Sequence, residues 1–148
     1  MITIQREKWA DCIDEIMPMC QQVHNISEHE IYGMPLDFDA DLYGESEDAG
    51  IFHCLVMRKN GTPIGFHWIV MYDLPRFKGK KQAVSDAIFV EPDQRIHAKK
   101  LIKFSEGYIK SKGCDFWALS TLEPQYRGGM WQKLGFKKSE TVFIKVMQ

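Results

Sequence analysis

Residues 90–106 read VEPDQRIHAKKLIKFSE. An apolar run ends at Val90, a proline follows, and Arg95, His97, Lys99 and Lys100 gather where a helical pattern begins. A helix that starts straight after a buried strand turns free N–H groups and the positive end of its dipole toward the strand's C-terminal edge. Basic side chains at such a place make it a site for phosphates. The same residues, with Lys103, also suit a solvated helix face, and spacing alone leaves both readings open. Other polar residues carry less. His53 and His67 lie in neighbouring strand candidates without a third ligand at suitable spacing, so no metal site is expected. Ser120 and Thr121 end a strand candidate, where open α/β sheets bind ligands, or they cap the next helix.

The elements that must position these residues follow from periodicity. Ile2 to Gln5 is a short strand candidate, and Trp9, Cys12, Ile13, Ile16, Met17 and Cys20 recur at helical spacing. The acidic stretch from Gly33 to Gly50 holds a short helix near Asp39 to Tyr43. Two apolar runs flank Asn60-Gly61, a strong hairpin signal because both turn residues need positive φ. QAVSDAIFV is the next strand. Ala98, Leu101, Ile102, Ser105, Tyr108 and Ile109 then form one face of a helix that stops at Gly113. FWALS, a helix ending at Leu134-Gly135, and ETVFIKV as a last strand complete the chain. Three sequential antiparallel strands followed by strand–helix–strand predict an α/β (α+β) domain, a mixed sheet with helices on both faces.

Composition sets the bounds. The 148 residues suffice for one domain, 1–148, with a real core. A net charge of −1 gives no global bias toward nucleic acid or anionic membranes. Cys12, Cys20, Cys54 and Cys114 form no C-x-x-C pair, which predicts reduced thiols and a cytoplasmic location. No apolar run approaches the length of a membrane span.

The element order, with IFVEPDQR leading into the long helix and MWQKLGFKKSE near the end, resembles the GCN5-related N-acetyltransferase superfamily. The family's V-x-P-x-x-R lead-in is matched by Val90, Pro92 and Arg95, and its F-Y-x-K-L-G-F tail by Met130 to Phe136. Motifs carry the resemblance from about Ile51 onward, and element order carries the rest. A further likeness is to small phage and prophage acetyltransferase-like proteins, through Pro35 to Asp39, Ser85-Asp86 and Leu101 to Glu106.

The resemblance implies a mostly antiparallel sheet of six or seven strands, splayed between strands 4 and 5, with about four helices. It implies acetyl-coenzyme A as cofactor. The thioester end would lie near Phe89 and Val90, and the pyrophosphate against Arg95, Ile96, His97, Ala98, Lys99 and Lys100. The acceptor is an amine on a small molecule or protein, and a homodimer is possible. The amine must lose a proton, for which Asp86 and Glu91 are the candidate bases. Strand alternation puts Ile88 and Val90 on the face of Asp86 and Glu91 on the other. Two family features are changed. The loop has no glycine, so Ile96 and His97 crowd a pyrophosphate. The family's acid tyrosine aligns with Trp131, whose indole cannot donate as an acid, leaving Tyr126 as the nearby phenol. A degenerate relative acting as a phage structural or host-interaction module, and a transferase for modified phage DNA bases, therefore stand as alternatives.

Overall fold

A computed structural model describes residues 1–121 and 128–147. One sheet runs in the order β1 (Ile2–Glu7), β2 (Phe52–Lys59), β3 (Thr62–Asp73), β4 (Lys81–Val90) and β5 (Phe116–Ala118). The first four strands are antiparallel neighbours, and β5 joins β4 in parallel. Asn60 and Gly61 turn β2 into β3 with φ of 51° and 87°, the left-handed pair that a tight hairpin needs.

The helices are α1 (Trp9–Val23), α2 (His29–Tyr32), α3 (Ala40–Asp48), α4 (Ala98–Ser111) and α5 (Gly128–Lys133). The helix near Asp39 extends to Asp48, with Asp39 as its N-cap accepting from the Leu42 N–H at 3.0 Å. On α1 the periodicity holds with one exchange. Met19 is buried and Met17 is exposed, and the helix continues through Pro18. A π-helical turn, His24–Glu28, follows directly.

The sheet separates two cores. Trp9, Cys12, Ile16 and Cys20 of α1 pack on Cys54, Val56, Phe66 and Trp68. Leu101 and Ile109 of α4 pack on the opposite face, against Met57, Ile64 and Val90 at one end and Leu55, Ile69 and Met71 at the other. Gly65 allows β3 and β4 to close. A Cβ there would lie 2.9 Å from the Phe89 carbonyl oxygen and 3.2 Å from Val90 Cγ2.

Four expectations change. The described residues contain five strands, not six or seven, and five α-helices rather than about four. Residues 141–147 form no strand, and Phe143 is 89% exposed, so its apolar pattern lacks the partner strand that would give it a buried face. Strand β5 stops at Ala118, short of the Ser120 that its apolar run suggested.

Candidate functional site

Strand β4 carries an irregularity that decides which way its side chains face. Trp68 pairs with Ala87, but the next residue, Ile69, pairs with Ser85. Asp86 is thus an extra residue in a β-bulge, and the alternation of faces slips there. Ser85, Ile88 and Val90 face α4, while Ala87 and Phe89 join the core beneath α1. The regular alternation expected from the sequence put Asp86 with Ile88 and Val90. The bulge instead places Asp86 on the α1 side, in the wall of a cavity of about 350 Å³.

Aromatic residues form much of that cavity. Tyr43 stacks on Trp9 at 4.5 Å between ring centroids, and Phe38 and Phe52 meet Trp68 edge-on at 5.7 and 5.9 Å. Asp37 and Asp39 add carboxylates to the lining. Asp86 is exposed by accessible area at the mouth, yet the protein packed around it raises its carboxyl above the ordinary range. Burial also pushes the Tyr43 phenol up to about 12, so it stays neutral. Glu91, the other carboxylate candidate, is engaged elsewhere. Gln22 Nε2 donates to its Oε1 at 3.0 Å, which ties α1 to the end of β4.

The parting of the sheet lies beside this cavity. Strand β5 pairs with β4 at three positions, Gln82 with Phe116, Ala83 with Trp117 and Val84 with Ala118. Beyond Val84 that register ends. Glu91 N–H donates to the Ile64 carbonyl at 2.8 Å, and Phe66 pairs with Phe89. Antiparallel alternation then turns the Phe89 N–H toward β3 and the Val90 N–H outward, toward the β5 side. Of these two candidate oxyanion donors, Val90 has the free direction.

A buried polar chain fixes the walls. His67 is fully buried, with Nδ1 2.7 Å from Ser105 Oγ on α4 and Nε2 2.6 Å from Ser85 Oγ. Trp117 Nε1 donates to the same Ser85 oxygen at 2.9 Å, which links β5 to β4. His53 lies on the same sheet face as His67, but its nitrogens meet Tyr108 Oη at 2.7 Å and the Gly50 carbonyl at 3.0 Å. The two histidines are satisfied separately, and the described residues hold no metal-ligating cluster. Burial pushes His67 down to about 3 and lowers His53 as well. Depressed histidines favour folding above the unfolded value of 6.5 and lose that contribution as pH falls toward the folded value. The urea midpoint is expected to drop steadily from pH 7 to 4.5. The drop should be smaller in His67→Gln, and an equal drop would remove His67 as its source.

The basic stretch adopts a 3₁₀ helix over Pro92–His97 before α4 begins. Its N–H groups enter short-range bonds, with Gln94 donating to the Glu91 carbonyl and Ala98 to the Arg95 carbonyl. Arg95 turns back, donating Nε to the Val90 carbonyl at 2.7 Å with its guanidinium 5.5 Å from the Phe89 ring centre. Ile96 is 85% exposed, and Lys99 and Lys100 are exposed beside it. Desolvation lowers the basicity of His97, and the positive charges of Lys100, Lys59 and the N-terminus add to that effect. Trp131 is buried, 5.5 Å from Phe136, which in turn meets Trp117 at 4.9 Å. Its indole N–H has no hydrogen-bond partner among the described residues. Tyr126 lies outside the described residues.

The bulge, the aromatic cavity and the satisfied His67 chain were not legible in the sequence. Ser85-Asp86 was visible as a pair, but its slip in register depends on pairing with β3.

The sheet parts beyond Val84, beside a cavity that carries Asp37, Asp39 and Asp86, and a basic 3₁₀ turn follows the end of β4. The chain belongs to the Acetyltransferase (GNAT) family, whose profile matches residues 9–136. Solved structures share the fold. A ribosomal-protein-alanine N-acetyltransferase from Brucella melitensis biovar Abortus 2308 aligns with a TM-score of 0.77 at 16% identity, covering 100% of this chain and 99% of that one. An aminoglycoside acetyltransferase from an uncultured soil metagenomic sample, in complex with trehalose, gives 0.76 at 14%, covering 99% and 97%. A predicted acetyltransferase with acetyl-CoA from Clostridium acetobutylicum gives 0.74 at 13%, again covering 99% and 97%. No curated protein sequence matches the chain.

Proposed function

We propose that the protein transfers an acetyl group from acetyl-CoA to an amine, with the acceptor received in the cavity at Asp86. The bulge carries this reading, because it turns one carboxylate out of the strand's regular alternation into the cavity wall, next to the open edge of β4. Acetyl-CoA supplies the acetyl group as a thioester. The pantetheine arm fits along β4 beyond Val84, where Val90 has an outward N–H. The buried indole N–H of Trp131, unpartnered among the described residues, is a second donor for that arm. The phosphates fall to Arg95, Lys99 and Lys100, through side chains more than backbone, since the 3₁₀ turn engages its own N–H groups. Asp86 takes a proton from the amine. Tyr126 and Glu91 have supporting parts in this proposal, as donor to the leaving thiolate and as the anchor of α1.

Calorimetry with acetyl-CoA, and release of free CoA with an amine panel, test the reading together. Arg95→Ala combined with Lys99→Ala is expected to weaken acetyl-CoA binding about tenfold, the scale of a charged hydrogen bond. The loss should shrink at high salt. Unchanged affinity would remove the phosphate assignment.

One observation favours a second reading, a fold relative that does not catalyse. The loop has no glycine, and its 3₁₀ turn leaves little backbone for a pyrophosphate. Absence of both acetyl-CoA binding and turnover at millimolar cofactor would select it.

A further inference from the structure

Ala83 and Ile88 both pack toward α4, Ala83 among Leu55, Ile69 and Met71, and Ile88 with Met57 and Leu101. They are five residues apart. Strand alternation puts residues an odd number apart on opposite faces, so β4 must slip once between them. The two cores demand the slip without fixing its place. Ala87 is held in the core beneath α1, so the choice falls on the two residues before it. Ser85 takes the α4 face and Asp86 is left over. The reverse choice would turn Asp86 toward α4.

The Ser85 hydroxyl makes that choice. An indole N–H can only donate, so Ser85 Oγ accepts from Trp117 Nε1 at 2.9 Å. His67 Nε2 is 2.6 Å from the same oxygen, and its Nδ1 is 2.7 Å from Ser105 Oγ. Burial keeps His67 neutral, so one ring nitrogen donates and the other accepts. With Nδ1–H donating to Ser105, Nε2 accepts the Ser85 proton, and the hydroxyl serves as donor and acceptor at once. His67 and Ser105 are fully buried, and Ser85 is 9% exposed. Turning Ser85 away would strip an imidazole nitrogen and an indole N–H of their partner and bring a carboxylate to a neutral histidine. The same bonds mark the parting of the sheet. Trp117 pairs with Ala83, yet its indole reaches Ser85, one residue past Val84, where the β4–β5 register ends.

We infer that Ser85, held by His67 and Trp117, is a positioning residue that fixes the bulge at Asp86 and so keeps that carboxylate in the cavity wall. Its part in catalysis rests on Asp86 being the base of the proposed transfer, whereas its hold on the bulge does not. Ser105 provides the comparison, because it bonds the other nitrogen of the same histidine from α4.

Carbon-detected NMR of protein labelled at the aspartate carboxyls reads the Asp86 titration without turnover, with Asp86→Asn assigning its signal. Asp37, Asp39 and Tyr43 line the same cavity and Glu28 feels the Asp86 charge, and the variants leave all four in place. Ser85→Ala is expected to weaken proton binding at Asp86 about threefold or more, because a loosened strand admits water to the carboxyl. In turnover it should lower kcat about tenfold while KM for acetyl-CoA stays within about twofold, and Ser85→Thr should recover most of the rate. Ser105→Ala should lose comparable thermal stability yet leave the Asp86 titration as in wild type. An Asp86 signal unchanged by Ser85→Ala, or moved as far by Ser105→Ala, would overturn the pin. A moved signal with unchanged kcat would remove its part in catalysis. If Ser85→Ala does not fold, Trp117→Phe removes one of the two Ser85 bonds and keeps a ring in place. It should move the Asp86 signal in the same direction, and an unmoved signal there counts equally against the pin. If wild type shows no turnover while the signal behaves as described, the transferase reading fails and the pin stands.

Discussion

Asp86→Asn is expected to lower the rate of acetyl transfer by about 10²–10⁴, the range associated with a positioned general base. Acetyl-CoA affinity should stay near wild type, because the proposed cofactor path runs along the β4 edge while Asp86 lines the cavity on the α1 side. The same substitution should raise thermal stability at neutral pH. Burial holds the Asp86 carboxyl above its ordinary value, so the folded state favours the protonated form. That contribution is complete below the unfolded carboxylate value and is lost as pH rises through the raised folded value. Asparagine has no charge to desolvate, so the variant should gain its advantage at neutral pH and lose it in acid. A slow but more stable variant is the signature of a base held at a cost. A variant that is equally active would move the base elsewhere in the cavity.

Gly65→Val should show the largest structural effect among positions remote from the acceptor cavity. The first added carbon already meets the Phe89 carbonyl oxygen at 2.9 Å and Met57 Cε at 3.1 Å. The backbone oxygen cannot rotate away, so β3 and β4 must separate. Overpacking of this kind costs about 1–3 kcal/mol, a fall of several degrees in melting temperature for a chain of this size. Moving Phe89 also moves Val90 and its outward N–H, so acetyl-CoA affinity should fall in parallel with stability. Retained stability with full affinity would show that the strands tolerate the spacing.

Local signals account for what the sequence disclosed. Asn60-Gly61 and the apolar stripe of α4 act over a few residues, and each has the role its spacing implied. Features that depend on distant partners were hidden. The apolar alternation of residues 141–147 signals a strand only where a neighbour offers an edge, and here none is paired with it. Arg95 read as a phosphate ligand by motif, but the Val90 carbonyl and Phe89 ring claim part of its guanidinium in the fold. The π-helical turn that begins at His24 was equally hidden, because the sequence does not mark one.

The bulge at Asp86 has a consequence for insertions and deletions. Removing this one residue would join Ser85 to Ala87 and leave Trp68 opposite Ala87 and Ile69 opposite Ser85 in regular alternation, with the other side chains of the strand on the faces they now have. A lineage that dropped the codon would thus lose the carboxylate while keeping the ladder, both cores and the outward N–H of Val90. Under the proposed function such a homologue keeps the cofactor edge and lacks the base, so it is expected to bind acetyl-CoA and to transfer the acetyl group slowly.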